Sequence, residues 1–273
     1  LGEPAATRRR RRELSFRHYI VERQRQAPPS RKGERTRERI RLAAAELLNE
    51  VGYRQMKVAD VCARAEITPP VLYRYFEGKA ALALDVLGEF LDRFMAIAGA
   101  AAPPTAFQAI YQANLRWIVL ARANAGLMGC LLEVSDEVPE FDELFARASR
   151  SWYRRITESV LRRFPSTAPN RDQLDLVHHA LGGMIDDLTR KLFTRRTPGV
   201  RSLVAKVAST DEALAAFLSA LWFRALYACD PPADEVKPIL PKLTAAAGGG
   251  VPRASRVRAG RQGARIDYSA GNP

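Results

Sequence analysis

Cysteine and histidine are scarce in this chain: 273 residues contain three of each. Cys62, Cys130 and Cys229 share no motif spacing, which excludes a disulfide framework or a paired-cysteine metal site and leaves small buried hydrophobes in a reducing compartment as the expectation. His178 and His179 are adjacent, with Asp186 seven positions beyond the second. Neighbouring helical residues point about 100° apart, so the two imidazoles cannot hold one ion. No HExxH, nucleophile motif or glycine-rich phosphate loop is present. The expectation is no metal, no cofactor and no enzymatic activity. Strand-like alternation is missing, and no apolar run reaches the length needed to cross a bilayer. A cytoplasmic, all-α protein with no membrane partner follows. The arginine run near the start is followed by no long apolar segment, which argues against an export signal.

Positive charge is abundant, and it is unevenly placed. The formal net charge is +13, from 43 Lys and Arg against 30 Asp and Glu. Residues 1–41 hold 14 basic and 5 acidic residues, and residues 245–273 hold 5 and 1. The 24 basic and 24 acidic residues between them cancel. Electrostatic attraction to a polyanion is therefore expected from the two ends. Arg8–Arg12, Arg17, Arg23, Arg25, Arg31 and Lys32 either read a narrow minor groove or add nonspecific affinity as a solvated extension. Leu14, Phe16, Tyr19 and Ile20 have the spacing of a short helix within that arm.

The most informative segment runs from Arg39 to Lys79. Ile40, Ala44, Leu47, Leu48 and Val51 recur at the spacing of one helix face, and Gly52 stops the helix. Val58, Val61, Cys62 and Ala65 mark a second, shorter helix that begins near Lys57. Thr68 and Pro69 carry helix-start signals: a hydroxyl that can accept from early amides, and a proline preset for the first helical turn. Leu72 and Phe76 turn inward, leaving Tyr73, Arg74 and Tyr75 outward. Pro70 disfavours a helical Pro69, predicting an irregular start.

Gly52-Tyr53, Val58 and Val61, Ile67-Thr68, Leu72-Tyr73-Arg74-Tyr75-Phe76 and Gly78-Lys79 together resemble the helix-turn-helix DNA-binding domain of TetR-family transcriptional regulators, over roughly residues 35–87. The resemblance implies that residues 68–74 form the recognition helix on double-stranded DNA. Thr68 and Val71 are then the base-edge candidates, Lys57, Tyr73, Tyr75 and Lys79 position the phosphates, Arg74 faces the phosphate backbone or groove, and Pro69, Pro70, Arg35 and Arg37 belong to the same DNA-binding surface. Glu66 departs from the family by standing where glycine usually makes the turn. A glutamate disfavours a left-handed backbone and brings negative charge toward DNA. Pro70 also stands where the family often has glycine.

The domain reading is a basic, disordered arm over 1–33, the helix-turn-helix domain over 34–80, a larger helical ligand-binding and dimerisation domain over 81–230, and a disordered Pro/Gly/Arg-rich tail over 231–273. Prolines at 103–104, 165, 169, 198 and 231–232 punctuate long apolar-periodic segments, giving helices near 79–98, 105–124, 126–135, 139–164, 171–194 and 211–228. The resemblance further implies a homodimer on a palindromic operator, released by an apolar small-molecule inducer. Its dimer interface would use Leu181, Ile185, Leu188, Leu214, Leu218, Leu221, Trp222 and Leu226, with Gly182 and Gly183 permitting close helix approach. Its ligand cavity would use Phe90, Phe94, Tyr111, Asn114, Trp117, Met128, Leu131, Trp152, His178 and His179. Each stripe and each aromatic also has the simpler reading of ordinary core. A ligand-independent architectural DNA-binding protein is the alternative, with an enzyme in the helical domain behind it.

Overall fold

The computed structural model describes residues 12–98, 105–133, 138–163 and 170–240. The arginine run up to Arg11, the basic tail beyond residue 240 and the prolines at 103–104, 165 and 169 lie outside them. The described residues are helical, with no strand among them. Helix α1 (Phe16–Gln26) precedes the head, which consists of α2 (Lys32–Gln55), α3 (Val58–Arg64) and α4 (Pro69–Tyr73). Helix α5 (Lys79–Ala98) leads into a body made of α6 (Ala106–Ala123), α7 (Ala125–Glu133), α8 (Pro139–Arg163) and α9 (Arg171–Thr189). A π turn over Arg190–Thr194 continues α9, followed by α10 (Pro198–Val207), α11 (Asp211–Tyr227) and the short α12 (Ala233–Val236).

The helical segments expected from the sequence are present, the short helix of the arm included, but two flanks are packed where disorder was expected. Part of the N-terminal arm is a packed helix, capped where the Ser15 hydroxyl accepts from the His18 amide. Phe16 and Ile20 are buried in the main core, and apolar burial of that kind offsets the entropy cost that would otherwise keep so basic a segment unfolded. At the other end, residues 231–240 are not a loose tail. Val236 and Leu240 are buried, and Glu235 accepts a 2.9 Å hydrogen bond from the Thr105 hydroxyl. Helix α10 was not anticipated, because its apolar residues Leu203 and Val207 face solvent.

Helix α2 packs on α1, α3, α5 and α7, so the head shares one core with the body. At the α2–α7 crossing, Gly126 sits so close to Asn49 that a β-carbon there would stand 2.2 Å from the Asn49 carbonyl oxygen. The Gly126 amide donates to Asn49 Oδ1 at 3.2 Å. A second tie runs through Asn124, between α6 and α7. Its Oδ1 accepts from the Phe16 amide at 2.7 Å, and its Nδ2 donates to the carbonyls of Leu120 and Leu14. The first helix is thereby fastened to the body as well as to the head.

Arginines of the arm and head are largely neutralised within the chain. Arg41, buried on α2, donates from Nε to Asp85 Oδ2 at 2.6 Å, from Nη1 to Glu38 Oε1 at 2.7 Å and from Nη2 to Glu89. Arg23 of α1 pairs with Glu38 and Glu89, and Arg17 and Arg25 pair with Glu46 and Glu22. Burial pushes the Glu38 carboxyl up, but hydrogen bonding and charge from Arg41, with Arg23 behind it, outweigh that and hold it below the usual range. Three arm arginines expected to face DNA therefore spend their charge on acids of α1, α2 and α5.

Candidate nucleic-acid interface and helical-body cavity

The reading head is built by local rules. Helix α2 breaks at Gly52, whose φ of 77° lies in the region glycine enters without a β-carbon clash. Val51, expected on the inner face, is 42% exposed just before the kink at Gly52. Val61, Cys62 and Ala65 bury one face of α3, while Lys57 precedes it, exposed. Burial pushes the Cys62 thiol up. Cys130 is buried as expected, but Cys229 is exposed after α11.

Between α3 and α4 the backbone turns at Glu66 with φ of 53°, the left-handed conformation that the missing glycine would supply. Its carboxylate stays in solvent, 4.0 Å from Arg39. Glu66→Gly should relieve the conformational cost and stabilise the head by about 0.5–1 kcal/mol, because the saving in strain exceeds the extra freedom of the unfolded chain. A thermal melt that moves down for this variant would contradict that account.

Thr68 takes the extended backbone of a helix cap, with φ of −93° and ψ of 156°, but its hydroxyl caps nothing. The following Pro69 and Pro70 have no amide to offer, and the Val71 amide already bonds to the Thr68 carbonyl at 3.0 Å. Despite the proline pair, α4 starts at Pro69. Leu72 and Phe76 hold it to the core, which leaves Thr68, Pro69, Pro70, Tyr73 and Arg74 exposed and Val71 half-buried. Tyr75 reaches back toward α2, its hydroxyl within 3.5 Å of where a Gly33 β-carbon would stand. The Lys79 ammonium lies over the Tyr53 ring, 4.2 Å from its centroid, and donates to the Arg54 carbonyl. Arg35 donates to the carbonyls of Ser30 and Pro29, and Arg37 pairs with Asp85 at 2.7 Å.

A cavity of about 260 Å³ opens between α6, α8, α9 and α11. Of the expected lining residues, Asn114, Trp117 and Trp152 line it. Phe90, Phe94, Met128 and Leu131 do not; they fill the core around α5 and α7. Tyr111 stacks on Phe107, and His179 faces outward. His178 is fully buried behind the wall. Thr157 donates to Asp175 at 2.6 Å, which uses its one proton, so at 2.9 Å its oxygen accepts from His178 Nδ1. Burial pushes this imidazole down to about 4, against the pull of Asp175. Sequence reasoning missed Tyr153, Trp222 and Tyr227 in the wall, and noticed Asp186 only as a partner for histidine. Asp186 lines the cavity, and burial pushes its carboxyl up to about 7 against the attraction of Arg190. Tyr153 is pushed up to about 12 by burial and by that neighbouring carboxylate. Among the described residues no three of His, Cys, Asp and Glu gather as a metal site.

The proposed dimer stripe splits in two. Leu214, Leu218 and Trp222 are buried inside the chain, because α11 packs along α6, and Ile185 lines the cavity. Leu181, Leu188, Leu221 and Leu226 are half-buried. Gly182 serves a contact within the chain, since a β-carbon there would meet the Tyr153 hydroxyl at 1.7 Å; Gly183 meets nothing within 4 Å.

Residues 40–86 match the family model described as bacterial regulatory proteins, tetR family. The head is similar to the DNA-binding domain of TetR-family regulators. Solved structures extend the likeness in fold to between 68% and 78% of the chain. A tetR-family transcriptional regulator from Streptomyces coelicolor superposes with a TM-score of 0.56 at 17% identity, over 78% of this chain and 89% of that one. A putative TetR-family regulator from Rhodococcus sp. gives 0.53 at 16%, over 70% and 98%. A fatty acid degradation regulator from Bacillus halodurans gives 0.50 at 16%, over 68% and 94%. No curated protein matches. The TetR match begins at Ile40, so α1 lies upstream of it. TetR-family proteins are DNA-binding transcriptional regulators, generally not enzymes, and usually act as dimers. No single described helix is long and apolar enough to cross a membrane.

Proposed function

We propose that this protein is a homodimeric transcriptional repressor, released from a palindromic operator when a hydrophobic small molecule occupies the cavity of the helical body. The observation that carries the reading is the combination of an exposed recognition surface on α4 with an aromatic cavity in a body that shares its core with the head. A ligand that favours one arrangement of α6, α8, α9 and α11 changes operator affinity by its difference in affinity for the two states. Dimerisation places two α4 helices in successive major grooves, about 34 Å apart. For the dimer surface, the half-buried part of the stripe and the exposed Leu176, Leu203 and Val207 are the available apolar positions.

Base reading falls to Thr68 and Val71, with Pro69 and Pro70 alongside. Phosphate positioning falls to Lys57, Tyr73, Arg74, Tyr75 and Lys79, and Arg35 and Arg37 must exchange their internal partners to contribute. Binding-site selection followed by polarisation titrations tests the division. Tyr73→Phe should weaken every site alike by about fivefold, the loss of roughly one hydrogen bond. Val71→Ala should instead change which bases are preferred. Uniform weakening by both variants would refute the assignment, and a screen in which no small molecule displaces the operator would refute the inducer.

A further inference from the structure

The cavity wall contains an unresolved charge. Asp186 faces the cavity, and among the described residues its carboxylate makes no hydrogen bond or ion pair. The cation that pulls on it, Arg190, one turn on, pairs with Asp187 through Nη2, while its buried Nε has no hydrogen-bond partner among the described residues. Two further arginines line the cavity, and neither answers Asp186. The exposed Arg155 lies over the Trp152 ring, 5.2 Å from its centroid, and donates to the Met95 carbonyl at 3.4 Å. Arg116 has an interaction of its own. Asp186 remains difficult to ionise, its carboxyl pushed up to about 7, because the pull of Arg190 falls short of the cost of burial. A half-buried carboxylate without a partner is stabilised by a counter-charge brought to it.

The surroundings of Asp186 narrow what that counter-charge can be. All three tryptophans of the chain, Trp117, Trp152 and Trp222, line the cavity, joined by Tyr153 and Tyr227. The Trp117 indole is held in place, donating to Thr189 Oγ1 at 3.1 Å, and Thr189 lies on the same face of α9 as Asp186, three residues on. Aromatic faces attract cations through the ring quadrupole, most strongly when water is excluded. A carboxylate beside several indoles is therefore suited to an organic ammonium. An anionic ligand would be repelled by the ionised Asp186, and a neutral one would bring it no counter-charge. At about 260 Å³ the cavity is small for a ligand site, and it favours a compact ligand over a long chain.

We propose that the ligand of this cavity is a compact lipophilic cation, an amine or quaternary ammonium on an apolar body, with Asp186 as its counter-ion and the tryptophan faces as its cage. This rests on the reading of the cavity as the effector site, and the test separates the two. Because every tryptophan is in the wall, intrinsic fluorescence of the full chain reports occupancy directly. Benzyltrimethylammonium should alter it with at least about tenfold higher affinity than neopentylbenzene, its uncharged isostere, or 4-phenylbutyrate. Asp186→Asn should abolish that preference while Asp186→Glu keeps most of it, with circular dichroism confirming that both variants are folded. Equal or tighter binding of the neutral or anionic probe, an unchanged preference in Asp186→Asn, or no response to the cation at about 1 mM each overturns the proposal. Operator titrations run in parallel settle the underlying reading. Operator release by the neutral or anionic probe and not by the cation keeps the effector site and rejects the cation. Cation binding that leaves the operator bound keeps the cation site and rejects its role as effector.

Discussion

Gly126→Ala should lower the melting temperature of the protein by roughly 5–10 °C, the equivalent of about 3 kcal/mol for a chain of this size. The added carbon would stand 2.2 Å from the Asn49 carbonyl oxygen, 2.5 Å from its carbon and 2.6 Å from Cα. All three are backbone atoms inside a helix, so no side chain can swing aside. Helix α7 must move off α2, breaking the Gly126-to-Asn49 hydrogen bond and loosening the packing of Cys130 beneath Leu48. Gly183→Ala is the control. Gly183 is exposed in α9 with nothing within 4 Å of a β-carbon, so helix propensity alone should leave it neutral or stabilise it by up to about 1 kcal/mol. Differential scanning calorimetry decides the matter, and a Gly126→Ala curve that overlays the parent would remove the close crossing from the description. The same variant should change operator affinity, since α2 carries the head.

Arg41→Ala should cost about 3–5 kcal/mol, as is usual when one member of a buried ionic cluster is removed and its partners are left behind. Glu38, Asp85 and Glu89 would then face one another with Arg23 and Arg37 as their remaining counter-charges. The pH dependence gives this prediction its signature. Glu38 is held below its ordinary value in the folded protein, so the stability it supplies is present above that ordinary value and is lost as pH falls through the lowered one. In Arg41→Ala the stranded carboxylates should instead bind protons more readily in the folded state than in the unfolded one. The deficit should therefore be largest near pH 7 and shrink toward pH 4.5, as like charges are neutralised. Urea midpoints at the two pH values measure it. A deficit of equal size at both would mean that Arg41 matters through packing and not through charge.

The parts of this molecule that could be read in the sequence are those whose cause is local. Helix α2 kinks at Gly52, three residues before its end at Gln55, and α4 begins at Thr68-Pro69, because of conformational preferences carried by those residues themselves. The inward positions Val61, Leu72 and Phe76 follow from spacing along one helix. What escaped depends on which surface a segment meets. The stripe from Leu214 to Leu226 has the same periodicity whether it faces α6 of its own chain or a second copy, and only tertiary packing shows that Leu214, Leu218 and Trp222 are internal. Arm arginines look available until acids up to 66 positions away, such as Glu89 for Arg23, come alongside. Asp186 is unremarkable as one of 30 acidic residues, and it becomes informative only when α9 turns it toward three indoles.

Asn124 sets the limits of what can be separated in this protein. Its side chain bonds at once to Leu14 and Phe16 at the N-terminal side of the head and to Leu120 in the body, and the residue is 2% exposed. A fragment cut to residues 40–86 would lose α1 and α7, on which α2 packs, and would expose the apolar face that they cover. The unit of folding is therefore larger than the unit of inheritance that the family match delimits. Whatever displaces α1 or α7 acts directly on α2, which packs against both.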